Sequence, residues 1–119
     1  MTTKTMFRQG DIIKVNFDPA LGHEEKYYRP ALVLSNSHVW RKSHLLIVAP
    51  ISTTTRIYPT YYQLMSTTEI YGKVLLEQVK AIDTTARHLA ASSIVDHVSS
   101  WELDAILHRF LLLFERESD

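Results

Sequence analysis

Cysteine is absent from the 119-residue sequence, which holds only three glycines and four prolines. The lack of cysteine excludes disulfides, thiol nucleophiles and thiolate zinc sites, and it agrees with a cytoplasmic location. Three glycines are too few for the glycine-rich loops that cradle phosphates. No apolar run approaches the roughly 20 residues of a membrane span, and the first residues lack the apolar core of a signal peptide. We expect a single domain over residues 1–119 with no membrane association.

An excess of charge of either sign is also lacking, because 13 Lys and Arg residues balance 13 Asp and Glu residues. A net charge of zero argues against a protein that coats nucleic acids indiscriminately. The balance is uneven along the chain: residues 1–95 carry 11 basic and 7 acidic side chains (net +4), and residues 96–119 carry 2 and 6 (net −4). A moderately positive body with an acidic last segment is therefore expected.

The sequence also lacks the common motifs of metal sites and of hydrolases with a serine nucleophile. Its six histidines are scattered, with no His-x-x-x-His or His-Glu-x-x-His spacing, so we predict neither a metal site nor another cofactor. A Gly-x-Ser-x-Gly elbow is missing as well. Any chemistry must come from other side chains.

The apolar pattern from Gly10 to Asp83 is mainly that of β-strands. Ile13, Val15 and Phe17 alternate with polar residues and share one face. The polar segment 35–44 between two short apolar runs is typical of a hairpin loop, and Gly72 marks a turn before a longer strand. Strands are predicted over residues 11–17, 30–34, 45–49, 58–64 and 72–83.

The end of the chain predicts one helix. Ser99-x-x-Glu102 fits a capping box, and apolar residues recur at helical spacing from Leu103 to Phe114. Such a stripe is most often buried in a core, although its width also allows a partner interface. An antiparallel sheet or small barrel followed by this helix is an α+β fold.

The hairpin brings polar side chains to one edge of the sheet. If the two strands are centred near Trp40, residue 29 lies opposite residue 51 or 52, so that Arg29 and Ser52 meet. A guanidinium matches phosphate oxygens, and a hydroxyl can donate to an oxygen that gains charge. An anionic substrate fits this set, although an Arg before a Pro is more often a surface ion-pair residue. Nearby tyrosines suit base stacking and strand packing equally well.

Four blocks of sequence follow one another with a specific spacing: Gly10-Asp11-Ile12-Ile13-x-Val15-x-Phe17-Asp18-Pro19, Gly22-His23-Glu24-x-x-x-x-Arg29-Pro30-Ala31-x-Val33-Leu34, Val48-x-Pro50-Ile51-Ser52-Thr53, and Gly72-x-Val74-x-x-Glu77-Gln78-Val79-Lys80-x-Ile82-Asp83. With these blocks the sequence resembles the MazF/PemK/Kid toxins of type II toxin–antitoxin systems. The resemblance covers most of the chain, including the closing helix.

The resemblance implies a small SH3-like antiparallel β-barrel with a C-terminal α-helix, assembled as a homodimer. It implies a metal-independent, sequence-specific endoribonuclease that cleaves single-stranded RNA, commonly mRNA, and so inhibits translation and growth. In this family the ribose 2′-hydroxyl attacks the adjacent phosphate and leaves 2′,3′-cyclic phosphate and 5′-hydroxyl ends. The implied protein partner is a cognate antitoxin with a disordered acidic segment, and the implied location is cytoplasmic.

The family motif also assigns roles to individual residues. We expect Arg29 to stabilise charge rather than move protons, because a guanidinium keeps its proton in proteins, and His23 or water to share the proton transfer. Either Ser52 or Thr53 could supply the active-site hydroxyl. Catalytic roles are implied for Arg29, Ser52, His23 and Glu24, and substrate-binding roles for Asp18, Lys26, Tyr28, Thr53, Glu77 and Gln78.

Other interpretations of the sequence remain open. Leu75 stands where some family members carry an Arg, two residues before the acidic Glu77, so a mechanism that relies on that Arg does not transfer. The alternative function is that of a non-enzymatic barrel toxin, or a degenerate homologue, that binds a protein such as gyrase. A peptide-binding adaptor with an SH3-type barrel is a weaker third interpretation.

Overall fold

Strands dominate the computed structural model, which describes residues 6–18, 20, 22 and 24–118, without the side chain of Glu25. These residues form seven strands and two helices. The strands are β1 Asp11–Asn16, β2 Tyr28–Val33, β3 Leu45–Ser52, β4 Tyr61–Gln63, β5 Lys73–Leu75, β6 Lys80–Asp83 and β7 Ile94–His97; the helices are α1 Ser37–Ser43 and α2 Ser100–Leu112.

All strand pairs are antiparallel, in the order β4-β5-β3-β2-β1-β7, and β6 also pairs with β3. The long strand β3 organises this sheet. One of its edges pairs with β2, while the other pairs first with β6 and then, at Ile51 and Ser52, with β5. Because β3 is shared in this way, the sheet curls into a small barrel-like sheet that remains open. Together with α2, this confirms the predicted α+β barrel with a C-terminal helix.

Successive side chains of a strand point to opposite faces of the sheet, and buried apolar residues pack on both faces. Ala49 and Ile51 of β3 pack on one side, where α2 contributes the fully buried Ile106. Leu46 and Val48 of the same strand pack on the other side. Burial of both faces explains why the apolar runs in the middle of the chain are nearly continuous. Of the described helices, none is long and apolar enough to cross a bilayer.

The polar segment 35–44 was predicted as a hairpin loop, and this prediction is wrong because the segment folds into α1. The side chain of Asn36 caps the helix by accepting a hydrogen bond from the backbone N–H of His38 (3.1 Å). Trp40 is buried and donates its indole N–H to Thr84 Oγ1 (3.0 Å). One buried aromatic side chain therefore holds a short helix that is otherwise polar apart from Val39.

The single long strand predicted over residues 72–83 is also wrong. A 3₁₀ turn over Leu76–Gln78 separates β5 from β6. The buried Leu76 donates its N–H to the carbonyl of Thr60 (3.0 Å), so the chain turns inward there. The strand predicted over residues 58–64 shortens to β4, and β7 was not predicted.

Two buried carboxylates anchor the segment between β4 and β5. The capping box at the start of α2 forms only in part: the side chain of Ser99 accepts from the N–H of Glu102 (3.4 Å), but the Glu102 carboxylate turns away. Fully buried, it accepts hydrogen bonds from the backbone N–H groups of Met65 (2.9 Å) and Ser66 (2.8 Å), and from the hydroxyls of Ser66 and Tyr62. Both burial and this carboxylate raise the pKa of Tyr62 to about 12.

Asp96 anchors the next residues of the same segment. Burial alone would raise the pKa of its carboxyl, but hydrogen bonds from the backbone N–H groups of Ile70, Glu69, His97 and Thr68 hold the pKa below its ordinary value. A depressed folded-state pKa stabilises the fold above the unfolded-state pKa, and this stabilisation is lost as the pH falls through the folded-state pKa.

We therefore expect Asp96→Asn to lower the free energy of unfolding by about 1–3 kcal/mol near pH 7, because backbone donors lose a charged acceptor. The difference from the wild type should shrink as the pH falls below about 4. Urea denaturation of both proteins across this range measures the effect. Burial raises the pKa of Asp11, but Asp11 titrates in both proteins and cancels in the comparison. A difference that stays constant with pH would contradict the role of the Asp96 charge.

Candidate active site

Arg29 and Ser52 occupy adjacent strands at one end of the sheet. The β2–β3 ladder ends with Ala31 paired to Pro50; extending this register by two residues sets position 29 opposite position 52. Residues that oppose each other in neighbouring strands point to the same face. In this register the Arg29 and Ser52 side chains leave the sheet on the same face, as the sequence predicts.

The Arg29 side chain is exposed and folds back along its own strand. Its Nη1 donates to the carbonyls of Lys26 (2.5 Å) and Tyr28 (3.0 Å). Among the described residues, no carboxylate forms an ion pair with it. Because carbonyls orient the guanidinium without neutralising it, its charge remains available to an anion.

Ser52 ends β3 and is half-buried. Its Oγ accepts a hydrogen bond from the backbone N–H of Thr54 (3.1 Å), which leaves the hydroxyl hydrogen able to donate. Strand β5 approaches here because Gly72 has no side chain: a Cβ at this position would lie 2.5 Å from the Ser52 carbonyl oxygen. Thr53 follows as an exposed residue, with its hydroxyl beyond the end of the strand.

The segment before Arg29 supplies further polar groups. Glu24 and Lys26 form an exposed ion pair (3.2 Å), and the Lys26 ammonium lies 5.1 Å from the centroid of the Tyr27 ring. Tyr28 is half-buried at the start of β2, opposite Asn16. His23, the proposed proton carrier, lies outside the described residues.

Asn16 is a buried residue that holds the start of this loop. Its Nδ2 donates to the carbonyl of Gly22 (2.5 Å), and its Oδ1 accepts from the N–H of Asp18 (2.9 Å). The Asp18 carboxylate in turn accepts from the N–H of Ala20 (3.1 Å). The predicted substrate-binding residue Asp18 therefore shapes the loop as well as facing solvent.

Glu77 and Gln78 lie in the turn between β5 and β6, where both side chains are exposed. Gln78 Nε2 donates to Glu77 Oε1 (3.2 Å). Within the described part of the chain, neither side chain forms a hydrogen bond with Arg29 or Ser52. The structure thus leaves these two residues without a direct link to the Arg29–Ser52 pair.

Two cations that were absent from the predicted site approach the end of β1. The Lys80 ammonium lies 5.3 Å from the centroid of the Phe17 ring, and Arg87 Nη1 donates to the carbonyl of Asn16 (2.8 Å). Strand alternation does not single out Lys80, because in β6 it falls on the same face as the buried Ile82. Arg87 is 71 residues from its partner, and no local pattern predicts such a contact.

These side chains give one end of the sheet a positive character. β1 ends beside the start of β2, so Lys80 and Arg87 lie near the strand that carries Arg29. In the described ranges, no group of three or more His, Asp or Glu side chains is arranged to hold a metal ion. Cations, a hydroxyl and nearby aromatic rings suit a phosphate-bearing ligand with unpaired bases.

One known protein family matches most of the chain. The family described as PemK-like, MazF-like toxin of type II toxin–antitoxin system matches residues 8–114. The chain belongs to this family.

Among MazF-like relatives, the endoribonuclease toxin MazF of Escherichia coli (strain K12) is 36% identical over 87 residues, covering 73% of this chain and 78% of the relative. The endoribonuclease toxin ChpB of the same strain is 37% identical over 106 residues, covering 81% and 90%. A chain of the MazE–MazF crystal structure (Form-II) from Deinococcus radiodurans has a TM-score of 0.75 at 20% identity, covering 93% of this chain and 97% of that one. This last likeness concerns the fold alone.

Proposed function

We propose that this MazF-like toxin is a sequence-specific endoribonuclease that cleaves single-stranded RNA, including mRNA, without a metal ion and so inhibits translation and growth. The observation that carries the proposal is the Arg29–Ser52 pair on one face of adjacent strands, with no carboxylate paired to Arg29 in the described structure. The two Escherichia coli relatives are named as endoribonucleases, which supports RNA as the substrate class.

The proposed reaction is an internal transfer within the RNA. The ribose 2′-oxygen forms a bond to the adjacent phosphorus, the bond from phosphorus to the 5′-oxygen breaks, and a proton passes from the 2′-hydroxyl to the leaving oxygen. Arg29 stabilises the negative charge on the phosphorane, and the Ser52 hydroxyl donates to one of its oxygens. Because the RNA supplies its own nucleophile, the protein contributes mainly position and charge.

Proton transfer and substrate binding are assigned to the surrounding residues. His23 or water carries the proton, with Glu24 as the nearby carboxylate. Lys26, Lys80 and Arg87 bind flanking phosphates. The remaining proposed contacts with bases and ribose are made by Asp18, Tyr28, Thr53, Glu77 and Gln78.

The proposal includes two protein partners: a second copy of the chain and a cognate antitoxin. The Deinococcus neighbour was crystallised as a MazE–MazF complex. A disordered acidic segment would match the positive end of the sheet and compete with RNA for it. Light scattering of the purified toxin tests for the dimer, and loss of RNA cleavage on adding the product of an adjacent reading frame tests for the antitoxin.

Cleavage of single-stranded RNA is expected to persist in excess EDTA and to leave 5′-hydroxyl and 2′,3′-cyclic phosphate ends, because Arg29 takes the place of a metal ion. A polynucleotide kinase should label the new 5′ ends without prior phosphatase treatment. Cleavage that stops in EDTA and returns with a divalent cation would refute the metal-free mechanism. A toxin that inhibits growth but cleaves no RNA would refute the enzyme.

A further inference from the structure

A row of polar side chains runs from Ser52 to the outer edge of the sheet. Ser52 pairs directly with Lys73 of β5, and Lys73 pairs directly with Gln63 of β4. Their neighbours Ile51, Val74 and Tyr62 belong to the core on the opposite face. The row therefore continues the Arg29–Ser52 face, and Gln63 lies roughly 10 Å from the strand of Ser52, two strand spacings away.

Among the described residues, the side chains of Lys73 and Gln63 form hydrogen bonds only with backbone carbonyls. Lys73 is half-buried, and its Nζ donates to the carbonyl of Arg56 (2.5 Å). Gln63 Nε2 donates to the carbonyls of Gly72 (3.1 Å) and Leu64 (3.4 Å), which orients the amide, and its Oε1 is the acceptor of the same group. An ammonium and a fixed amide oxygen are thus presented beside the proposed cleavage site.

The row ends in a cavity of about 420 Å³ at edge strand β4. Gln63 and Lys73 line it together with Ile57, Tyr61, Met65 and Arg109. Arg109 Nη1 donates to the carbonyl of Tyr61 (3.1 Å), and its guanidinium lies 5.0 Å from the centroid of the Tyr62 ring. No acidic residue occurs among these described lining residues, so the cavity combines apolar walls with positive charge.

We infer that this cavity is a nucleotide subsite that contributes to sequence specificity: Lys73 binds the phosphate next to the scissile one, and the adjoining base enters the cavity and donates an N–H to Gln63 Oε1. The inference rests on the proposed endoribonuclease function. RNA fits better than an acidic protein segment because Lys73, which lines the cavity, pairs directly with Ser52, and because an oriented amide can read the edge of a base.

The test determines cleavage sites in a randomised single-stranded RNA for the wild type, Lys73→Met and Gln63→Met. Gln63→Met removes the base contact, so the preference at one position beside the scissile bond should weaken by at least about fivefold while cleavage continues. Lys73→Met removes a phosphate contact that does not depend on sequence. It should leave the base preference unchanged and raise KM by about tenfold.

The salt dependence of binding distinguishes the phosphate contact of Lys73 from the base contact of Gln63. On a single-stranded DNA version of the cleaved sequence, which lacks the 2′-hydroxyl, Lys73→Met should reduce the slope of log affinity against log salt by about 0.7. Lys73→Arg should restore the slope. Lys42→Met is the matched control, since Lys42 is an exposed lysine of α1 beyond the opposite end of β3, and neither quantity should change.

Each outcome decides a different question. A wild-type protein that cleaves no RNA refutes the proposed function, whereas one that cleaves RNA while the folded variants keep its base preference, KM and salt slope refutes only the subsite. Variants that cleave normally but resist neutralisation by an antitoxin would assign the cavity to a protein segment, which also overturns the inference. Thermal denaturation of every variant establishes that it is folded.

Discussion

Arg29→Ala is expected to reduce RNA cleavage by on the order of 10²–10³ or more, because it removes the cation that stabilises the phosphorane. The loss should fall mainly on kcat, since the charge on the phosphate grows only as the reaction proceeds. The fold should survive, because the side chain is exposed and its hydrogen bonds reach only the nearby carbonyls of Lys26 and Tyr28. Single-turnover cleavage and thermal denaturation measure the two quantities separately.

Two further variants sharpen this result. Arg29→Lys keeps the charge but loses the forked donor array, so its activity should lie between those of the wild type and Arg29→Ala. Arg41→Ala removes an exposed arginine of α1 that contacts His38, and its cleavage should equal that of the wild type. If Arg29→Ala cleaved RNA at the wild-type rate, charge stabilisation by Arg29 would be wrong.

Glu102→Ala is expected to have the largest effect on stability, lowering the free energy of unfolding by at least about 3 kcal/mol. It leaves a cavity in the core and removes the acceptor of two backbone N–H groups and two hydroxyls. For a chain of this size, the melting temperature should fall by roughly 10–20 °C. Urea denaturation and calorimetry measure the change.

Glu102→Gln tests whether the charge or the shape matters. The amide fills the same space but turns an NH₂ group toward backbone N–H donors, so its stability should lie between those of the wild type and Glu102→Ala. Glu115→Ala removes an exposed carboxylate after α2 and should leave stability unchanged. If Glu102→Ala matched the wild type, the 65–70 segment would not depend on this anchor.

Sequence patterns predicted the elements whose structure depends on neighbouring residues in the chain. Alternating apolar residues indicated β1, and the periodic stripe after Ser99 indicated α2. The register of Arg29 and Ser52 was also predictable, because a connection centred near Trp40 pairs the same positions whether it forms a loop or α1. That symmetry explains why an incorrect element between β2 and β3 did not disturb the site.

The role of Glu102 could not be predicted from the residues next to it in the sequence. Its spacing from Ser99 is typical of a capping box, yet its carboxylate binds groups 36 to 40 residues away. The exposed half of the apolar stripe is similar: Leu111 and Phe114 are 65% and 68% exposed, although their helical spacing matches that of the buried Ile106. Packing, rather than periodicity, decides which residues of a stripe are covered.

The chain's own composition and spacing therefore predicted an antiparallel α+β fold, the absence of thiol chemistry and a register that sets Arg29 opposite a strand-end hydroxyl, because each depends on short-range pattern. Only the tertiary structure brought Lys80 and Arg87 to the end of β1 and aligned Lys73 and Gln63 with Ser52. Those positions depend on the pairing of one edge of β3, first with β6 and then with β5. This pairing is fixed by the burial of apolar residues on both faces of the sheet, which come from distant parts of the chain.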